Sequence, residues 1–158
     1  MRIYIESTIP SYVAARPAHD LLQAARQQMT KDWWHLKCGQ HELFTSQVTL
    51  DEIADGERAM AQRRLEIMAA VPVLDLTPDA ATLTLRILAS GLLPATADSD
   101  AAHIALATVH KMDILLTWNC RHIANGAIQV RLRRVVQSLG YELPAICTPD
   151  ELIGELYE

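Results

Sequence analysis

This sequence predicts an α/β protein: short buried strands in a central parallel sheet, with helices over both faces. Three observations carry that expectation. Short, mostly apolar segments recur at positions 3–5, 43–45, 71–76, 114–118 and 145–147, the clearest of them (3–5 and 114–118) without the polar alternation of a strand with one wet face. Longer stretches of helical period lie between them, and this alternation is the pattern of right-handed crossovers. Finally, 158 residues with 50% hydrophobic content supply one complete core, so a single domain over 1–158 is expected. No repeat or low-complexity stretch interrupts it, and the seven prolines and six glycines are scattered.

Each element follows from local chemistry. Ile3, Tyr4 and Ile5 form the first strand, and Ser7-Thr8-Ile9-Pro10-Ser11 reads as a break of turn and capping residues. A helix is expected over 20–36, with Leu21, Leu22, Ala25, Met29, Trp33 and Leu36 as its apolar positions. After the second strand, Ser46 or Thr49 caps a helix that runs past Glu52. A further helix covers 57–70 and a third strand 71–76. Thr77-Pro78-Asp79 then caps a helix ending near Gly91. The spacing predicts helices over 98–111 and 127–139, on either side of the strand 114–118. A short extended segment at 145–147 and a last helix opened by Thr148-Pro149 complete the chain.

Fourteen Lys and Arg against nineteen Asp and Glu give a net charge of −5 at pH 7. That balance argues against nonspecific coating of nucleic acid. It leaves room for carboxylates that bind a metal, which then meets a phosphate. Three widely spaced cysteines, Cys38, Cys120 and Cys147, form no disulfide framework, and reduced thiols in a cytoplasmic protein are the simplest reading. Glu6 interrupts any apolar signal core, so no secretory leader is expected. No apolar run approaches the ~20 residues that span a bilayer.

In an open parallel sheet, ligands sit beyond the carboxyl ends of the strands. Glu6 follows the first strand directly. Glu52 lies on the helix after the second, Asp100 in the first turn of the helix before the fourth, and Asn119 at that strand's end. Three carboxylates and an amide sharing a pocket repel one another unless a cation sits among them. Oxygen ligands suit Mg²⁺ or Mn²⁺ rather than zinc. Such an ion supports phosphodiester hydrolysis, with one ion or two left open. Each residue also has a plainer reading. Asp98 and Asp100 suit a helix dipole, Glu52 a solvated helix face and Asn119 a turn.

These same residues carry a family likeness. Ile3-Tyr4-Ile5-Glu6-Ser7-Thr8-Ile9, the stretch from Val48 through Glu52 to Ile53, Asp100-Ala101-Ala102-His103-Ile104-Ala105, and Leu115-Leu116-Thr117-Trp118-Asn119-Cys120-Arg121-His122 resemble, in order, the motifs of PIN domains. The likeness is to the VapC-like toxin branch and extends over nearly the whole chain. It implies a three-layer α/β/α sandwich and a metal-dependent ribonuclease. It also implies a homodimer, commonly the toxin of a toxin–antitoxin pair, with RNA as substrate and an antitoxin as protein partner. By this resemblance Glu6, Glu52 and Asp100 are the metal-binding acids. Asn119 completes the catalytic group, Thr117 orients it, and Ser7 or Thr8 is the small hydroxyl after the first acid. The sequence departs from the family at two places: Glu6 stands where Asp is common, and the neutral Asn119 where many members carry a further acid. A catalytically weak PIN scaffold that binds nucleic acid or a partner is therefore a second reading. A small-molecule enzyme on the same sheet is a third, requiring a pocket free of these residues.

Arg121 follows Asn119 and is placed to hold a phosphate. His35, Cys38 and His41 are one ligand short of a structural zinc site and share no helix face. His103 reads as a core histidine or a neighbour of the acids, and Cys120 with His122 lies too close in sequence for a nucleophile–base pair. Of Trp33 and Trp34, one is expected in the core and the other at an interface. The runs Arg58/Arg63/Arg64 and Arg131/Arg133/Arg134 read as solvated helix faces. With no clustered glycines, a phosphate-binding loop is disfavoured.

Overall fold

The computed structural model of the protein describes residues 1–154, so positions 155–158 of the expected domain lie outside the described residues. Five strands, β1 (Arg2–Ile5), β2 (Glu42–Ser46), β3 (Val73–Leu74), β4 (Ile114–Leu116) and β5 (Ala145–Cys147), form one sheet in the order β3-β2-β1-β4-β5. Every pairing is parallel. The helices are α1 (Thr8–Ala14), α2 (Leu21–Leu36), α3 (Gln47–Ala54), α4 (Arg58–Met68), α5 (Pro78–Ala89), α6 (Asp98–Val109), α7 (Gly126–Ser138) and α8 (Pro149–Ile153). A single 3-10 turn, Cys38–Gln40, joins α2 to β2.

The strand alternation divides the core in two. Tyr4, Leu115 and Ile146 point to one face and pack with Leu83 and Ile87 of α5, Ile104 of α6 and Leu132 of α7. Ile3, Ile5, Ile114 and Leu116 point to the other, against Ile9, Trp33, Met68 and Ile153. A side-chain period of two on strands with two buried faces produces this split, and with it a three-layer α/β/α sandwich.

The strand order reverses between β1 and β4. The chain first winds outward from β1 through β2 to β3. It then crosses back to β4 on the other side of β1. Connections leaving the carboxyl ends of β1 and β4 therefore depart in opposite directions, and a crevice opens between them. Glu6 follows β1 at that point, and Thr117 follows β4.

Most expected elements appear within one or two residues of their expected bounds, with three differences. The segment 7–11 is not a break but the start of α1, where Pro10 occupies the third helical position. An amide hydrogen there has no partner within the helix, so proline loses nothing. The strand expected over 71–76 shrinks to Val73–Leu74 at the sheet edge. The third difference is in α2, where Leu21, Leu22 and Leu36 are exposed, at 87%, 62% and 58%, while Gln27 and Thr30 are buried with Trp33. These two polar residues are tolerated because they are bonded. Gln27 accepts from the Ala18 amide and donates to the Arg16 carbonyl, and Thr30 Oγ1 accepts the Trp118 indole N–H at 2.7 Å. Trp33 is fully buried, and Trp34 is partly buried against the same core cluster.

Candidate metal centre

Glu6 is 3% exposed, and a buried carboxylate requires donors. Its Oε2 accepts from Thr117 Oγ1 at 2.7 Å, from the Thr8 amide at 3.0 Å and from Thr8 Oγ1. Its Oε1 accepts from Ser7 Oγ at 2.8 Å. All four donors are neutral. Three of them anchor Oε2 beside β4, because Thr8 Oγ1 also accepts the Trp118 amide at 2.8 Å. The clamp fixes the Glu6 side chain across the crevice.

Glu52 reaches the same place from α3. Ser46 caps that helix, its Oγ accepting from the Thr49 amide, and lies 2.6 Å from Tyr4 Oη, which ties α3 to the central strand. Glu52 Oε2 lies 2.9 Å from His103 Nε2, and His103 Nδ1 lies 2.8 Å from Tyr4 Oη. His103 is fully buried on α6. Burial disfavours the charged ring, but the Tyr4 oxygen, the Glu52 hydrogen bond and the nearby carboxylates outweigh it and hold the His103 pKa well above the usual imidazole value. Burial likewise works to raise Glu52, yet the His103 hydrogen bond and charge, helped by the Ser7 and Ser99 hydroxyls, bring it down to about 2. Glu52 and His103 thus form an ion pair, with His103 donating from both nitrogens.

Glu6, Glu52 and His103 each present a ligand atom within 4.8 Å of the others. Two carboxylates at this spacing fit a divalent cation, with the imidazolium as the positive charge that balances them in its absence.

Asp100 and Asn119 form an adjoining group. Asn119 Nδ2 donates to Asp100 Oδ1 at 2.9 Å, and His122 Nδ1 lies 2.6 Å from Asp100 Oδ2. Thr117 joins the two groups: its Oγ1 donates to Glu6 and accepts the Asn119 amide at 2.9 Å. A continuous hydrogen-bonded chain therefore runs from Glu6 through Thr117 and Asn119 to Asp100 and His122. Glu6 and Glu52 converge with His103, whereas Asp100 stands in the neighbouring group. Arg121 is exposed at the rim, its side chain without a hydrogen bond or ion pair among the described residues.

His103 is the core histidine near the acids that the sequence suggests, but the partners of His103 and His122 escape a reading by local spacing. His103 meets Glu52 across 51 positions and His122 meets Asp100 across 22. Topology is the one signal that brings them together, because both partners flank the same strand ends. His35, Cys38 and His41 do not assemble as a ligand group among the described residues; His41 stacks on Trp33 instead. A cavity of about 540 Å³ opens at the amino ends of β4 and β5, lined by Thr108, Lys111, Asp113 and Tyr141 among others. It contains none of the candidate residues and lies at the end of the sheet opposite the crevice.

No family model matches this sequence, and no curated protein matches it. Among solved structures, a chain of VapBC2 from Rickettsia felis, determined bound to a DNA fragment from its promoter, superposes with a TM-score of 0.56 at 11% identity. The match covers 94% of this chain and 98% of that one. At that identity the likeness shows a common fold.

Proposed function

We propose that this protein is a divalent-metal-dependent endoribonuclease of the PIN class, acting as the toxin of a toxin–antitoxin pair. The observation that carries the reading is the convergence of two carboxylates from separate elements, the buried Glu6 and the partly buried Glu52, at the sheet's switch point. The shared fold with a chain of VapBC2, and the sequence motifs at these positions, support the same family.

Glu6 and Glu52, with Asp100 beside them, hold the ion. A bound Mg²⁺ or Mn²⁺ supplies a polarised phosphoryl oxygen and a water of lowered pKa. Thr117 and Ser7 keep the Glu6 carboxylate directed across the crevice. Asn119 orients Asp100 through its amide. Arg121 at the rim takes a substrate phosphate with its planar fork. Homodimerisation, an antitoxin partner and a cytoplasmic location belong to this reading. No helix among the described residues is long and apolar enough to cross a membrane.

One observation favours a second reading. Glu6 Oε2 takes three protein donors and each Asp100 oxygen one, so these carboxylates already have protein partners without a cation. A scaffold that binds RNA or a partner with weak catalysis follows from that. Cleavage of single-stranded RNA by the purified protein, with Mg²⁺ or Mn²⁺ and with chelator, separates the two. The nuclease reading expects metal-dependent cleavage that Asp100→Ala abolishes, and growth arrest on induction that the same change relieves. RNA binding without cleavage at millimolar Mn²⁺ supports the scaffold.

A further inference from the structure

Asp100 is held from two sides by a single short loop. Asn119 Nδ2 donates to one carboxylate oxygen, and Asn119 Oδ1 accepts the His122 backbone amide at 3.1 Å. The Asn119 carbonyl accepts from the amides of Ile123 and Ala124 at 3.0 and 2.8 Å. Asn125 closes the loop, capping α7 through Ala127 and Ile128 and donating to the Arg121 carbonyl. The His122 backbone is thus fixed by the same residue that binds Asp100, and its ring meets the second carboxylate oxygen at 2.6 Å. Each Asp100 oxygen spends one acceptor site on this loop and keeps another for a ligand. Such an arrangement orients a carboxylate rather than neutralising it.

We propose that His122 is a positioning residue of this site: through Nδ1 it sets the direction of the Asp100 carboxylate and thereby the affinity for a divalent cation. The proposal rests on the cation reading above. A partner that orients a ligand in this way is generally worth about 10- to 100-fold in metal affinity. His122 side-chain exposure is 20%, so its replacement opens no deep cavity.

The test is titration calorimetry of the full chain with Mn²⁺ alone, at one fixed pH, with thermal melts alongside. His122→Ala is expected to weaken Mn²⁺ by about 10- to 100-fold with little change in melting temperature. His122→Asn, whose amide nitrogen falls where ring Nδ1 lies, should restore most of the affinity. His122→Gln, whose amide nitrogen falls where Nε2 lies, should not. Adding His122→Ala to Asp100→Ala should cost nothing further, because the histidine acts through that carboxylate. The proposal is overturned if His122→Ala binds Mn²⁺ as tightly as the unaltered chain, if Asn and Gln rescue equally, or if the double variant is weaker than Asp100→Ala alone. An unaltered chain that takes up no Mn²⁺ overturns the cation reading, and this proposal with it.

Discussion

Replacing Thr117 by Val tests whether the two halves of the site are joined through one hydroxyl. Thr117 is completely buried, and Val fills its volume with a methyl in place of Oγ1. Two hydrogen bonds disappear: the one donated to Glu6 at 2.7 Å and the one accepted from the Asn119 amide at 2.9 Å. A hydrogen bond to a carboxylate is worth about 1.5–3 kcal/mol, and a neutral one about 1 kcal/mol. Glu6 keeps three other donors, which softens the first loss. The Asn119 amide is left without a partner, which sharpens the second. The expected loss is about 3 kcal/mol. Thr117→Ser keeps the hydroxyl and removes one methyl, which costs about 1 kcal/mol. Urea unfolding followed by circular dichroism measures both. Val costing no more than Ser would refute the account, since the hydroxyl would then carry neither bond.

The remaining predictions concern charge and the rim. The folded-state pKa of Glu52 is depressed from 4.5 to about 2, so its contribution to stability is full above pH 4.5 and is lost as pH falls toward 2. That of His103 is raised from 6.5, so its contribution is full below pH 6.5 and declines as pH rises beyond it. The metal-free protein should therefore draw most stability from this pair between those two pH values. In melts across pH, His103→Gln should flatten the dependence on both sides, and an unchanged profile in that variant would count against the pair. Arg121→Ala should leave the melting temperature unchanged, because the side chain has no partner among the described residues. It should weaken RNA binding uniformly across sequences and lower the salt slope of log affinity by about 1, as read by fluorescence anisotropy. Equal affinity and slope would remove Arg121 from the phosphate contact. Ser46→Ala removes the α3 cap and the Tyr4 tie; a loss of about 1–2 kcal/mol is expected in urea unfolding, and none would mean that α3 is held by packing alone.

The architecture is readable from the chain because β1 and β4 carry apolar runs that a doubly covered sheet accommodates. That rule also brings Glu6, Thr117 and Asn119 to one crevice, since each follows a strand at its carboxyl end. Local pattern fails where a partner is distant. The polar Gln27 and Thr30 face inward on α2, and the exposed Leu21 and Leu22 face outward, because the buried bonds are made to Ala18, Arg16 and Trp118. Helix α1 escapes notice because its opening residues, Ser7 to Pro10, are also those of a turn. His122 carries no signal in its own neighbourhood, and His103 only that of a core histidine or a neighbour of the acids, which its burial against Glu52 bears out. Their roles come from Glu52 and Asp100, which the crossovers deliver from other parts of the chain.

The central claim is that Glu6 and Glu52 share a divalent cation. Anomalous diffraction from crystals grown with Mn²⁺ tests it most directly. The account predicts one strong peak within coordination distance of carboxylate oxygens from both residues, absent from crystals of Glu6→Gln. A peak bound by neither carboxylate, or no peak at millimolar Mn²⁺, would contradict it.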